Sequence, residues 1–316
     1  MGVRYENVIV FGPTGTVGGL VALEAHKRGA NAWLAMRDTS KAIHEIPADV
    51  EKGGKFDRIQ ADLNDPVSVA KAINTSGAKA AYLYLIHNSP DSSYASLKAM
   101  RDAGVEYIVF LSSYSLKVEG KQLRAVSPQE PIPYAHARVE INIEDLGFPC
   151  FTVLRPAWFA SNHIKQYLDT SVKPPKANVV VEGAIFDNIA PEDIGAVGGT
   201  VLVERPQPDG GKETIYLCGP ELHTAKQSWE LIKLTTGRAD IDTSSPNPEQ
   251  FVQNLASKGI PSVLAEYLLG ILEEAKQGMR EPEYRIGVEN ITKYSGKAPT
   301  SFVDYLVAHK AEWQTA

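Results

Sequence analysis

The chain has 316 residues, of which 43% are hydrophobic and 22% charged, the proportions of a globular protein rather than of a disordered, fibrous or membrane-embedded one. With 38 acidic against 32 basic side chains its formal charge is -6, which offers a nucleic-acid backbone no basic face and sets nucleic-acid partners aside. Its two cysteines, Cys150 and Cys218, lack the CxxC spacing of a zinc or redox site, no apolar run reaches the roughly 18 residues of a membrane span, and no leader-like segment opens the chain, so the expectation is a cytoplasmic protein with no membrane partner and no metal.

Short apolar runs at Asn7–Phe11, Ala32–Met36, Arg58–Ala61, Ala80–Ile86, Tyr107–Leu111 and Cys150–Leu154 are predicted strands. Between them Val17–Arg28, Val67–Asn74, Tyr94–Ala103 and Ala135–Asp145 repeat apolar residues at helical spacing, and Gly29, Gly104 and Gly147 stand where helices end. Strands that are apolar throughout and separated by helix-length segments belong to a parallel sheet buried on both faces. The expected fold class is therefore α/β, a doubly wound parallel sheet. After Leu154 the alternation stops, and Trp158–Lys176 reads as a loop and helix ending at Pro174-Pro175. A strand near Ala184–Asn188, a helix opening at Pro191 and a strand at Glu213–Leu217 are expected to return to the sheet. From Thr224 onward the chain is mainly helical, with helices predicted at Gln227–Thr235, Pro248–Ser257, Pro261–Lys276 and Ser301–Trp313. The expected division is a nucleotide-binding domain over 1–160, rejoined by 184–220, and a smaller, mainly helical carboxyl-terminal lobe made of 161–183 and 221–316 that binds substrate.

Directly after the first strand stands Gly12-Pro13-Thr14-Gly15-Thr16-Val17-Gly18-Gly19, opening into a helix. Gly12 permits the sharp turn, Gly15 lets the backbone approach a pyrophosphate, and Gly18 lets the helix pack closely on the strand; Thr14, Thr16 and Val17 complete the candidate phosphate turn. The helix start presents amides and a positive dipole end to the phosphates. A glycine triplet alone is also an ordinary βα turn, but here the strand before, the helix after and a second strand about twenty residues on agree on a Rossmann-type dinucleotide site.

The end of the second strand selects the dinucleotide. An NAD site places an acidic side chain there for the ribose 2′-hydroxyl, whereas this chain has Met36 in that slot followed by Arg37, with Lys41 as a second cation. A guanidinium that can grip a 2′-phosphate favours NADP(H) over NAD(H). Asp38 keeps the NAD reading open, because a small register shift turns it toward the ribose and leaves Arg37 and Lys41 as surface cations. Ligands of open α/β sheets bind outside the carboxyl ends of the strands, which adds Asp62 and Leu63 beside the adenine and Ile86 and His87 beneath the ribose or nicotinamide. The same rule adds Ser112, Ser113 and Tyr114 at the reaction centre.

These residues resemble the NmrA-like branch of the atypical short-chain dehydrogenases and reductases. The matching features are the GPTGTVGG turn, Arg37, the Ala61-Asp62-Leu63 step, Ser112-Ser113 and Leu154-Arg155-Pro156-Ala157-Trp158-Phe159. Late in the chain Pro191-Glu192-Asp193-Ile194-Gly195 and Thr300-Ser301-Phe302-Val303-Asp304-Tyr305 match as well, so the resemblance spans nearly the full length. It implies an extended Rossmann domain, with Pro156 at the cofactor, and a small lobe that closes over substrate. That family holds NADPH-dependent reductases alongside regulators that bind the dinucleotide and turn nothing over. Its reductases usually carry a lysine beside the nicotinamide ribose on the helix before the sixth strand, sometimes with a tyrosine four residues earlier. This chain has Tyr134 and, at the lysine position, Arg138.

Spaced by four residues, Tyr134 and Arg138 share one helix face, and His136 lies on another. A cation beside a phenol favours proton exchange with a substrate carbonyl, although an arginine does not give up its own proton. Lys117 is an alternative cation. Tyr134, Arg138 and Ser113 are thus the candidate catalytic residues, and Tyr114, Trp158, Phe159, Asn162 and His163 the candidates to line the substrate pocket, although aromatics after a strand are often simply core. The leading expectation is an NADPH-dependent reductase of a small carbonyl or conjugated compound, aromatic ones included, with Tyr134 as proton donor. A non-catalytic NADP(H) sensor acting through a protein partner stays open, as does a redox-neutral isomerase or lyase that retains the cofactor.

Overall fold

The computed structural model describes residues 4–86, 89–205, 211–257 and 259–316. Strands β1 (Asn7–Phe11), β2 (Asn31–Met36), β3 (Phe56–Gln60), β4 (Ala80–Tyr84), β5 (Tyr107–Leu111) and β6 (Cys150–Pro156) alternate with helices α1 (Thr16–Lys27), α2 (Ala48–Gly53), α3 (Pro66–Ser76), α4 (Tyr94–Asp102) and α5 (Pro131–Asp145). The two-residue strands β7 (Leu168–Asp169), β8 (Lys176–Ala177) and β9 (Ile185–Phe186) follow, then α6 (Pro191–Glu204) and β10 (Gly211–Leu217). The main sheet runs β10-β6-β5-β4-β1-β2-β3, with every pairing parallel. Val8, Ile9 and Val10 of β1 and Ile108, Val109 and Phe110 of β5 are sealed from solvent because both faces of the sheet are covered, which is why these strands show no polar alternation. Strand order reverses between β1 and β4, the switch point at which such sheets bind ligands, and the glycine turn leaves β1 there.

The chain forms two compact units. The first comprises Met1–Pro156, Pro191–Leu217 and Glu289–Lys297; the second comprises Ala157–Ala190, Cys218–Val288 and Ala298–Ala316. The second unit contains β7, β8, β9, β11 (His223–Thr224), α7 (Ala225–Thr236), α8 (Pro248–Ser257), α9 (Ser262–Glu274), α11 (Phe302–Ala308) and α12 (Lys310–Thr315), while the division falls within α10 (Glu283–Ser295). Its core gathers Trp229, Ile232, Phe251, Phe302, Leu306 and Trp313. Thr224 and Gln227 close a reciprocal capping box at the start of α7, satisfying two amides that a helix start leaves open.

Several elements depart from expectation, each for a local reason. The strand placed near Ala184–Asn188 is only Ile185–Phe186; it pairs antiparallel with β11 rather than joining the main sheet, and Asn188 follows at a φ of 47°, outside strand geometry. The helix expected in Trp158–Lys176 is a single π-type turn, His163–Tyr167, after which the chain turns back through β7 and β8. Helix α10 escapes sequence reading because Gly287 and the β-branched Ile286, Val288, Ile291 and Thr292 weaken its helical signal. Its second half belongs to the first unit and not to the lobe expected over 221–316. The last predicted helix breaks at His309 into α11 and α12. Helix α5 begins four residues early because Pro131 suits a first helical position, and Tyr134 is therefore helical.

Candidate active site

At the end of β1, Gly12 adopts a φ of +71°, and a Cβ there would stand 2.3 Å from Cε1 of Tyr84. Tyr84, the last residue of β4, thus borders the turn; the apolar run Ala80–Ile86 hides it from sequence reading by continuing past the end of the strand. The Gly15 amide donates to Gly12 O at 3.1 Å, and α1 then starts with no side-chain cap and no acidic residue in its first turn. An uncapped helix start suits an anionic group, whose charge the amides and helix dipole favour. Only Gly12 O, at 3.5 Å, lies near the place of a Gly15 Cβ, so this backbone is open to a ligand. Gly18 differs: its Cβ would stand 2.3 Å from Gly12 O, so helix and turn are pressed together there. Thr14 is exposed, Thr16 half-buried and Val17 buried. This turn fits the diphosphate of a dinucleotide.

Past β2, Arg37 and Lys41 are both exposed. Asp38 accepts from the amide and hydroxyl of Ser40, at 2.9 and 2.6 Å, and these bonds hold its carboxyl below the usual range. One oxygen of the carboxylate that an NAD site would turn to the ribose, Oδ1, is therefore engaged within its own loop. At the end of β3, Asp62 accepts from the Asn64 amide at 2.9 Å, while the Leu63 side chain is buried in the core beneath the sheet. Ile86 is half-buried against that core. His87 lies outside the described residues.

The ends of β5 and β6 meet α5 through a buried ionic cluster that sequence reading missed. Ser112 Oγ donates to Glu140 Oε1 at 2.7 Å, Arg155 Nη2 donates to Glu140 Oε2 at 3.0 Å, and Lys212 Nζ donates to the same oxygen at 2.8 Å. Arg155 Nη1 donates to Leu116 O at 3.1 Å and to Tyr216 Oη at 3.3 Å. Burial pushes the Glu140 carboxyl up, but Arg155 and Lys212 outweigh it and the carboxyl ends below its ordinary range. The one available signal was a glutamate at position 140 among the apolar residues of α5. Ser113 Oγ shares a hydrogen bond with Ser115 Oγ at 2.8 Å, and Tyr114 is buried edge-on to Tyr216 with ring centroids 5.9 Å apart. Pro156, buried at the end of β6, accepts the Tyr114 amide at 3.0 Å. On α5 Tyr134 is half-buried and Arg138 exposed; Lys117 is exposed in the loop after β5.

In the second unit Trp158 stacks on Phe186 at 4.2 Å. His163 is buried against Phe186, Trp229 and Phe302, with Nε2 2.8 Å from Asn188 Oδ1. Desolvation drops its imidazole to about 4, so at neutral pH it carries no charge. Trp158, His163, Tyr167, Asn178, Phe186 and Trp229 border a cavity of about 20 Å³, room for one water and too small for a ring. Phe159 bridges to Ile189 through its backbone, and Asn162 Oδ1 accepts from Gln166 at 3.1 Å. Another residue missed in sequence reading is Asp187, fully buried, whose two carboxylate oxygens accept the Trp158 and Gly219 amides at 2.8 Å each.

The sequence pattern of NAD(P)H-binding proteins matches residues 12–185. Over 315 residues the chain is also 34% identical to the nitrogen metabolite regulation-like protein bik4 of Gibberella fujikuroi, covering 96% of each. The chain belongs to the NAD(P)H-binding family. Within 262 residues this NAD(P)H-binding chain is 25% identical to festuclavine dehydrogenase of Aspergillus fumigatus, covering 82% of this chain and 80% of that one. Among solved structures, the NADPH-dependent quinone oxidoreductase of Escherichia coli in complex with NADPH matches it with a TM-score of 0.71 and 19% identity, over 97% of this chain and 99% of that one, a likeness of fold. Among the described residues no helix of this NAD(P)H-binding protein is long and apolar enough to cross a membrane, and no cluster of ligating side chains is placed to hold a metal.

Proposed function

We propose that this protein is an NADPH-dependent reductase of a small carbonyl or conjugated compound, with Tyr134 as proton donor. The observation that carries the reading is the anchoring of α5: Glu140 ties its inner face to Ser112 and Arg155, at the strand ends where ligands of such sheets react, and Tyr134 sits half-buried six residues, about one and two-thirds turns, earlier on the same helix. The uncapped start of α1 receives the diphosphate, Arg37 and Lys41 the 2′-phosphate, and Asp62, Ile86 and Pro156 border the remainder. NADPH, when bound, supplies the hydride. Tyr134 gives its phenolic proton to the substrate oxygen, Ser113 orients that oxygen, and Arg138 bears on the phenol from the same helix face while keeping its own proton.

A second reading is a dinucleotide-dependent regulator. It is favoured by Arg138 at the lysine position and by the 34% identity to a regulation-like protein over nearly the whole chain. NADPH oxidation followed with a panel of ketones, quinones and enones separates the two. Under the reductase reading Tyr134→Phe keeps NADPH affinity and lowers turnover by about two to four orders of magnitude. Turnover that survives this change removes Tyr134 from the mechanism, and silence across the panel favours the regulator.

A further inference from the structure

The segment that follows β2 has no regular structure, yet it is held at both ends. At its far end Ile43 and Ile46 are buried, and the Glu45 side chain packs so close to Gly19 that a Cβ there would stand 2.8 Å from Glu45 Cβ. The near end, residues 37–41, is exposed throughout. What holds it is a side chain from the edge strand β3. Arg58 Nη1 donates to the carbonyls of Thr39 and Lys41, at 2.6 and 2.8 Å, while Nη2 donates to Glu51 Oε2 at 2.8 Å and Nε to Glu51 Oε1. Gln60, two residues along β3, adds a bond to Arg37 O at 3.2 Å.

We propose that Arg58 is a positioning residue for cofactor discrimination: it fixes the backbone of residues 39–41 so that Arg37 and Lys41 stand ready for a 2′-phosphate. The proposal rests on the NADP(H) reading above. An exposed loop that must order on binding loses affinity to lost conformational freedom, and a loop ordered in advance does not. The clamp needs a planar fork, because one group must serve two carbonyls on one side and a carboxylate on the other; a lysine ammonium cannot span that geometry. Four of the five guanidinium N–H groups are engaged within the protein, which leaves Arg58 little to offer a phosphate itself. NADH has no 2′-phosphate and makes no use of the prepared cations.

The test measures NADPH and NADH dissociation constants for the unmodified protein, Arg58→Ala, Arg58→Lys and Glu51→Gln, together with hydrogen exchange of the 39–41 amides without cofactor. Both Arg58 variants are expected to weaken NADPH roughly tenfold, to leave NADH within about twofold, and to speed exchange at 39–41 before any cofactor is added. Glu51→Gln, which spares Arg58 and unlocks its orientation, shifts both readouts the same way by less, and it carries the test if an Arg58 variant does not fold. An unmodified protein that binds the two cofactors equally fails the NADP(H) reading itself. An unmodified protein that prefers NADPH while Arg58→Ala keeps that preference overturns the Arg58 inference alone. So does a lost preference with unchanged exchange at 39–41, which would make Arg58 a direct phosphate contact.

Discussion

Glu140 and Arg155 form an ion pair in which neither side chain is exposed at all, with Nη2 3.0 Å from Oε2. Taking two charges out of water is unfavourable unless they meet each other and further partners, and here Ser112, Lys212, Leu116 and Tyr216 complete the set. Removing one member strands the other. Glu140→Ala is expected to lower unfolding free energy by about 3–5 kcal/mol, whereas Glu140→Leu combined with Arg155→Met restores most of it. Denaturant unfolding of the two variants decides the point. Because the folded Glu140 carboxyl lies below its ordinary 4.5, its contribution is complete above that pH and fades as pH falls through the lower folded value. An acid-side stability slope that is the same in Glu140→Gln would refute the assignment.

Asp187 works in the opposite sense. Burial lifts its carboxyl from 3.8 to about 7, even though the Gly219 and Trp158 amides pull it down. Between those values the folded protein holds a proton that the unfolded chain has released, so stability falls as pH climbs through the window and levels off above it. Asp187→Asn should flatten that slope. It should also lower stability by about 1–3 kcal/mol, since an amide offers one oxygen where two backbone donors need acceptors. Unfolding midpoints between pH 4 and 8 read both effects.

Gly15 and Gly18 are expected to respond differently to substitution. A Cβ at Gly15 meets only Gly12 O at 3.5 Å, and its φ of -87° with ψ of 152° is comfortable for valine, so Gly15→Val is expected to fold and to abolish NADPH binding. Gly18→Ala drives a methyl to 2.3 Å from Gly12 O and lowers the melting temperature as well. Circular dichroism with a fluorescence titration checks each half, and NADPH binding retained in Gly15→Val would put the phosphates elsewhere.

Arg37→Ala removes an exposed cation that makes no core contact, so stability should hold. Loss of a charge-assisted phosphate contact of about 1.5–3 kcal/mol should weaken NADPH by about tenfold or more and leave NADH nearly unchanged. A parallel loss of both cofactors would move the role of Arg37 away from the 2′-phosphate.

The sheet and its glycine turn were legible because both are local: Val8–Phe11 and Tyr107–Leu111 are apolar without interruption, and Gly12 stands where β1 must bend. Asp38 was ambiguous because its partner is an amide two residues on, a bond that depends on the turn adopted. Glu140, Arg155 and Lys212 were invisible as a group, since 15 residues separate the first two and 72 separate Glu140 from Lys212. Ile185–Phe186 misled for a related reason: its strand partner, His223–Thr224, lies beyond a whole helix and sheet strand, and no periodicity in either pair announces the other.

The helix α6 has glycines where it crosses α1, so close that a Cβ on Gly195 would stand 2.3 Å from Leu20 Cβ and one on Gly199 2.5 Å from Glu24 Cβ. It is also the part of the cofactor-binding unit that the ribosome makes late, after Ala157–Ala190 has been spent on the other unit. A nascent chain that has emerged only to Pro156 therefore shows an unmatched α1 surface and an open β6 edge, the strand that β10 later covers. Completion of this unit's sheet edge and helix layer waits on residues from a distant stretch of message. During synthesis this half-built sheet, with one edge unpaired, is the form most open to pairing with other chains.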